Sequence, residues 1–138
     1  MHKYFELLNE NANLIIIKHG KKHFFNDKGV KSLLTILNSD PELLKDALVI
    51  DSVVGKAAAS LFTKGKVAKI YARLISKNAT KFLDENNMIY EFINETDYII
   101  NRSKTDYCPM EKATLNLKTC DECYDAIRKK AKEMNINF

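Results

Sequence analysis

The sequence predicts a three-layer α/β sandwich around one mixed sheet. Three observations lead there. A β-branched run, Leu14 to Lys18, is followed by a Gly-containing turn and a second short run, the pattern of a β-hairpin. Beyond Ala47 the apolar residues switch between helical and strand spacing, as crossover units between parallel strands do. The chain has 138 residues, is 46% hydrophobic and carries only four Gly and two Pro, so it suits one buried core and not disorder. One domain over residues 1–138 is expected, with no linker and no internal repeat.

Taken in order, residues 3–12 predict a short helix with Phe5, Leu7 and Leu8 inward. Leu14–Lys18 is a buried strand, His19-Gly20-Lys21 a turn, and Lys22–Phe25 the returning strand. Asp27 is placed to cap a helix in which Val30, Leu33, Leu34 and Leu37 recur at helical spacing to about Asn38. Asp40-Pro41 starts a helical turn. Ala47–Ile50 is a short apolar approach, after which Asp51 is expected to cap a helix reaching Lys64 and stopped by Gly65. A long strand is expected over Val67–Ile75, then a helix over 77–85 capped by Ser76, then a strand over Met88–Ile93. Arg102–Tyr107 reads as a loop, Cys108-Pro109 as the start of a helix to about Asn116, and 121–134 as a final helix.

Charge narrows the partners. The formal net charge is +4, from 22 Lys and Arg against 18 Asp and Glu, and the arginines are only Arg73, Arg102 and Arg128. Base readers and phosphate clamps favour guanidinium, so a surface this rich in lysine argues against nucleic acid. The basic run Arg128-Lys129-Lys130 follows Asp121, Glu122 and Asp125, the order a helix dipole favours, and reads as a solvated helix face. Three cysteines and no signal-like start point to a reducing compartment, the cytoplasm. The longest apolar run, Leu14–Ile17, is too short to span a bilayer, so no membrane is expected.

Two constellations carry the candidate chemistry. In Asp51-Ser-Val-Val-Gly55-Lys56-Ala-Ala-Ala59 a phosphate loop fails, because Ile50 stands where its first Gly belongs and Ala57 where its hydroxyl belongs. A helix start with Lys56 nearby still suits an anion, while the plainer reading is close helix–sheet packing allowed by Gly55 and the alanines. In Asn101-Arg102 followed by Cys108-Pro109-Met110-Glu111-Lys112, a thiol precedes a helix, where the dipole favours thiolate. Arg102 offers an anion clamp, and Glu111 and Lys112 offer proton transfer. The plainer reading makes Cys108 a small hydrophobe and Glu111 a first-turn acid. Cys120-Asp-Glu-Cys123 supplies two zinc ligands, and Cys108 a third at most; no second C-x2-C exists, and His2, His19 and His23 are remote. No metal and no cofactor are expected.

Asp51-x-Val53-Val54-Gly55-Lys56-Ala57-Ala58-Ala59, Tyr71-Ala72-x-x-Ile75-Ser76, and Asn101-Arg102 leading to Cys108-Pro109-Met110-Glu111 together resemble a small uncharacterised prokaryotic family with a cytidine-deaminase-like fold. The likeness runs from about Leu14 to Leu115. It implies a mixed five-stranded sheet that opens with an antiparallel hairpin and carries helices on both faces. It does not imply deamination. A zinc deaminase places His/Cys-x-Glu on one helix start and Pro-Cys-x-x-Cys on the next, and here those starts read Asp51-Ser52-Val53 and Ser76-Lys77-Asn78.

The expected function is a metal-free pocket at the strand ends, where open α/β sheets bind ligands. Lys56 and Arg102, with Gly55, Ser76, Asn101 and Lys112, are expected to hold an anionic, nucleotide-like or phosphorylated small molecule. If the protein is an enzyme, Cys108 is the nucleophile and Glu111 or Asp51 carries the proton. The alternative is a non-enzymatic ligand-sensing or protein-interaction module, with a homodimer kept open as its assembly.

Overall fold

The computed structural model describes residues 3–27, 29–99 and 108–138. Five strands form one sheet: β1 (Leu14–Lys18), β2 (Lys21–Phe25), β3 (Leu48–Val54), β4 (Lys69–Ser76) and β5 (Tyr90–Thr96). Their order is β2-β1-β3-β4-β5. β1 runs antiparallel to both β2 and β3, whereas β3, β4 and β5 are parallel to one another. The two residues between β1 and β2, His19 and Gly20, have φ values of 51° and 77°. Two successive left-handed residues give the turn whose twist matches an antiparallel ribbon.

Five α-helices follow the chain: α1 (Lys31–Ser39), α2 (Lys56–Gly65), α3 (Lys77–Glu85), α4 (Pro109–Thr114) and α5 (Cys120–Glu133). α2 joins β3 to β4 and α3 joins β4 to β5, the crossovers that parallel neighbours require. Leu34 of α1, Phe62 of α2, Leu83 of α3, Met110 of α4 and Ile127 of α5 share one apolar core with Ile16, Val49, Ile70 and Ala72 of the sheet. Each large side chain buried there contributes roughly 1.5–3 kcal/mol.

The three-layer expectation is corrected by the opposite sheet face. Ile15, Ile50 and Tyr71 point there and meet Phe5, Leu8 and Ala12 of the N-terminal segment. That segment is not the helix expected over 3–12 but a single 3-10 turn, Lys3–Leu7, followed by an isolated bridge between Asn9 and Ala12. Two full layers and a partial cover therefore replace the sandwich.

Two caps also differ from expectation. Asp51 lies inside β3, paired with Leu14 of β1 and Ala72 of β4, and α2 starts five residues later with Gly55 at its N-cap. Val49, Ile50, Val53 and Val54 carry the strand preference that extends β3 through this position. Asp27 does not cap α1; Val30 occupies the N-cap without a side-chain bond, while Asp27 Oδ2 accepts from Ser32 Oγ at 2.8 Å. Gly65 is the last residue of α2 rather than the residue after it, and Lys66 takes the left-handed cap at φ 61°. Gly65 is needed for contact: a Cβ there stands 2.7 Å from Leu44 Cδ1. Ser76 caps α3 by accepting from Ala79 N at 3.1 Å.

Candidate functional site

The first turn of α2 leaves backbone N–H groups without intrahelical partners, and Gly55 has no side chain to meet them. The acceptor comes from elsewhere in the chain. Glu111 of α4 places Oε1 2.6 Å from the Lys56 backbone nitrogen, which donates to it. Ser76 Oγ donates to the same oxygen at 3.3 Å. One buried carboxylate thus ties α4 to the starts of both α2 and α3. Gly55 is what lets it approach, since a Cβ there stands 1.9 Å from Glu111 Oε1. Burial pushes the Glu111 carboxyl above its usual range, opposed by the Lys56 amide, the Ser76 hydroxyl and the Lys56 charge.

In front of this junction lies a cavity of about 260 Å³, bounded by the end of β3, the first turns of α1 and α2, and α4. Its apolar wall includes Leu14, Val30, Leu33, Ile99 and Met110. Its polar wall brings together Asp51, Gly55, Cys108 and Glu111, with Asn13, Asp27 and Ser32. Desolvation pushes Asp51 up to about 7, against the pull of the Val53 and Ser52 backbone amides. Near neutral pH this carboxyl can therefore hold or release a proton. Cys108 is half-buried, and its backbone nitrogen donates to Ile99 O at 2.9 Å. Only six residues of helix stand behind it, so the dipole invoked for its thiol is short.

The cavity gathers Asp51, Gly55, Cys108 and Glu111 but not every residue expected there. The Lys56 side chain leaves in the other direction, its Nζ donating to Leu115 O at 3.1 Å and Leu117 O at 2.5 Å. Lys112 borders a separate, shallow hollow of about 30 Å³ with Asn78 and Tyr98. Ser76 is fully buried behind Glu111 rather than on the cavity wall. Asn101 and Arg102 lie outside the described residues. Among the described lining residues there is no basic side chain and there are three carboxylates.

Asn13, Asp27 and Ser32 are wall residues that sequence reasoning did not assign to the site. Asn13 Nδ2 donates to Asp27 O at 2.9 Å, which closes the rim. Only the Asp27–Ser32 pair has a local signature, an acid shortly before a helix; the Asn13 contact spans 14 residues.

The Cys-x2-Cys pair has its own explanation. Thr119 and Glu122 form a capping box at the start of α5, so an acid between the cysteines satisfies that helix end. Cys123 is fully buried in the core, where burial raises its thiol, and Cys120 packs against the same core. Among the described residues, no group of three or more His, Cys, Asp or Glu side chains is placed to hold a metal ion. Among them also, no helix is long and apolar enough to cross a membrane.

Comparison with known proteins agrees with this architecture. A solved DUF1893 family protein from Thermotoga maritima, TM1506, is 29% identical and superposes with a TM-score of 0.81, covering 93% of this chain and 85% of the other. No curated protein matches the chain. The family model described as "TM1506: Domain of unknown function (DUF1893)" matches residues 4–131, so it reaches past the motifs over 14–115 to include the N-terminal turn and most of α5. The chain belongs to the DUF1893 family of domains of unknown function.

Proposed function

We propose that this protein binds a small molecule in the cavity at the end of β3, and that the ligand presents N–H donors or a positive charge on an apolar frame. An amine, an amidine or an aminated heterocycle has that chemistry. The observation that carries the proposal is the lining itself: the carboxylates Asp27, Asp51 and Glu111 among the apolar Leu14, Leu33 and Met110, and no basic described residue among them. Glu111 is buried, Asp51 half-buried and Asp27 exposed at the edge; carboxylates so placed accept charge-assisted hydrogen bonds, and apolar walls supply the rest of the affinity. The anionic ligand expected from Lys56 loses its support, because that ammonium is directed elsewhere.

The cytidine-deaminase-like type is part of the same proposal. The sheet order, the antiparallel β1–β2 pair and the parallel β3-β4-β5 run support it. The helices gathered on one face depart from the both-faced arrangement that the type implies. In this reading the ligand sits where β3 gives way to α2, at the carboxyl end of a parallel strand.

A catalytic version has one specific support: Cys108 and Asp51 border the same cavity, and Asp51 titrates near neutrality. There Cys108 is the nucleophile and Asp51 the group that takes its proton. Benzamidine is a suitable first probe for the binding reading. Calorimetry is expected to show saturable binding that tightens as pH rises through about 7, because the carboxylate form of Asp51 holds the cation and its protonated form does not. Asp51→Asn is expected to remove that pH dependence. Phosphate binding to the cavity, or benzamidine binding indifferent to Asp51→Asn, contradicts the proposal. Alkylation of Cys108 by iodoacetamide that benzamidine does not slow contradicts the catalytic version.

A further inference from the structure

We infer that the cleft between α3 and the segment joining α4 to α5 binds a phosphate or phosphomonoester group, with Lys56 at its floor. Lys56 is only 8% exposed, yet its ammonium has no carboxylate within ion-pair distance among the described residues. Its recorded polar partners are the carbonyls of Leu115 and Leu117. Two neutral oxygens use two of its three N–H donors, and the Glu111 carboxylate acts on its charge only from beyond ion-pair distance. A buried ammonium with no carboxylate in contact is costly, so a site that keeps one is suited to an incoming anion.

The surroundings are arranged for that. The cleft holds about 290 Å³ and places Lys81 and Lys118 at its mouth, with Asn78 and Asn116 as neutral donors. Glu85 is the one carboxylate among its described lining residues. Neither Lys81 nor Lys118 makes an ion pair among the described residues. Phe82 forms an apolar wall, its ring centroid 5.9 Å from Lys56 Nζ. Three ammonium groups and two amides around an apolar wall recognise a compact dianion, and the wall leaves room for an organic substituent. The site is separate from the cavity proposed above and does not depend on it.

The test is thermal unfolding and 31P NMR of the full chain with sodium phosphate and with phenyl phosphate, each against sodium chloride of equal ionic strength. A saturable rise in midpoint specific to the phosphates is expected. The Lys81→Ala/Lys118→Ala pair is expected to weaken binding roughly tenfold, while leaving the phosphate-free midpoint unchanged. Lys56→Met is expected to abolish binding, and the surface pair keeps the test decisive if that variant does not fold. Tighter phenyl phosphate binding identifies an organic phosphomonoester; equal binding identifies the free ion. No saturable response, or an equal response in the Lys81/Lys118 variant, overturns the inference. Asp51→Asn is expected to leave phosphate binding intact, so the two sites fail or succeed separately.

Discussion

Two hollows flank the first turn of α2, and they are opposites. Toward the end of β3 the wall is acidic and apolar, with Asp51 and Glu111 beside Leu14 and Met110. Toward α3 it is basic, with Lys81 and Lys118 around Lys56. One residue serves both sides: Lys56 gives its backbone N–H to Glu111 on the first and its ammonium to the Leu115 and Leu117 carbonyls on the second. The contrast teaches that a Gly-Lys pair at a helix start need not form an anion site there. The protein's own carboxylate already occupies the position where a bound anion would sit, and the lysine's charge is delivered elsewhere.

The sharpest way to break that division is Gly55→Ala. A methyl group 1.9 Å from Glu111 Oε1 cannot be accommodated without moving the carboxylate, so a loss of about 3 kcal/mol is expected in urea unfolding. An undiminished midpoint would mean that Glu111 is not held at α2. Glu111→Ala is next, at about 2–3 kcal/mol, because the Lys56 N–H is left buried without an acceptor. Glu111→Gln keeps an acceptor oxygen and should cost only about 1 kcal/mol. Equal losses in the two variants would refute the capping role.

The pH response sharpens the same comparison. Asp51 and Glu111 both have folded-state carboxyls raised above their unfolded values, so the folded chain binds more protons between those values. Stability is therefore greatest below about pH 4 for this contribution and falls as pH rises toward about 7. Asp51→Asn should flatten that fall and stabilise the protein at pH 8 by on the order of 1–2 kcal/mol, after allowance for solvent screening. A variant with the wild-type slope would place the titration elsewhere. The smallest effect is expected at the far end of α2: Lys66→Gly relieves a left-handed residue and should stabilise by about 0.5–1 kcal/mol without altering either hollow.

Local chemistry made part of this legible in advance. The β-branched run of β1, the Ser76 cap and the acid-to-base order of α5 are all set by neighbours in sequence, and the structure has them. Asp51 misled because a capping residue type also fits a strand when β-branched residues surround it. The site was half legible. Asp51, Gly55, Cys108 and Glu111 line one cavity, but the bond that holds Glu111 at the start of α2 joins residues 55 positions apart. Nothing in local spacing tells which carbonyls the lysine side chain will reach, since Leu115 and Leu117 lie 59 and 61 positions away. Asn13 was missed for the same reason, since its partner lies across the chain at Asp27.

The most direct test of the division is an amide NMR titration of the full chain with benzamidine. Shifts are expected at Ser52, Gly55, Cys108 and Met110, around the acidic hollow, with Asn78, Lys81 and Lys118 unmoved. Shifts confined to the basic cleft, or none at saturating probe, would contradict the account.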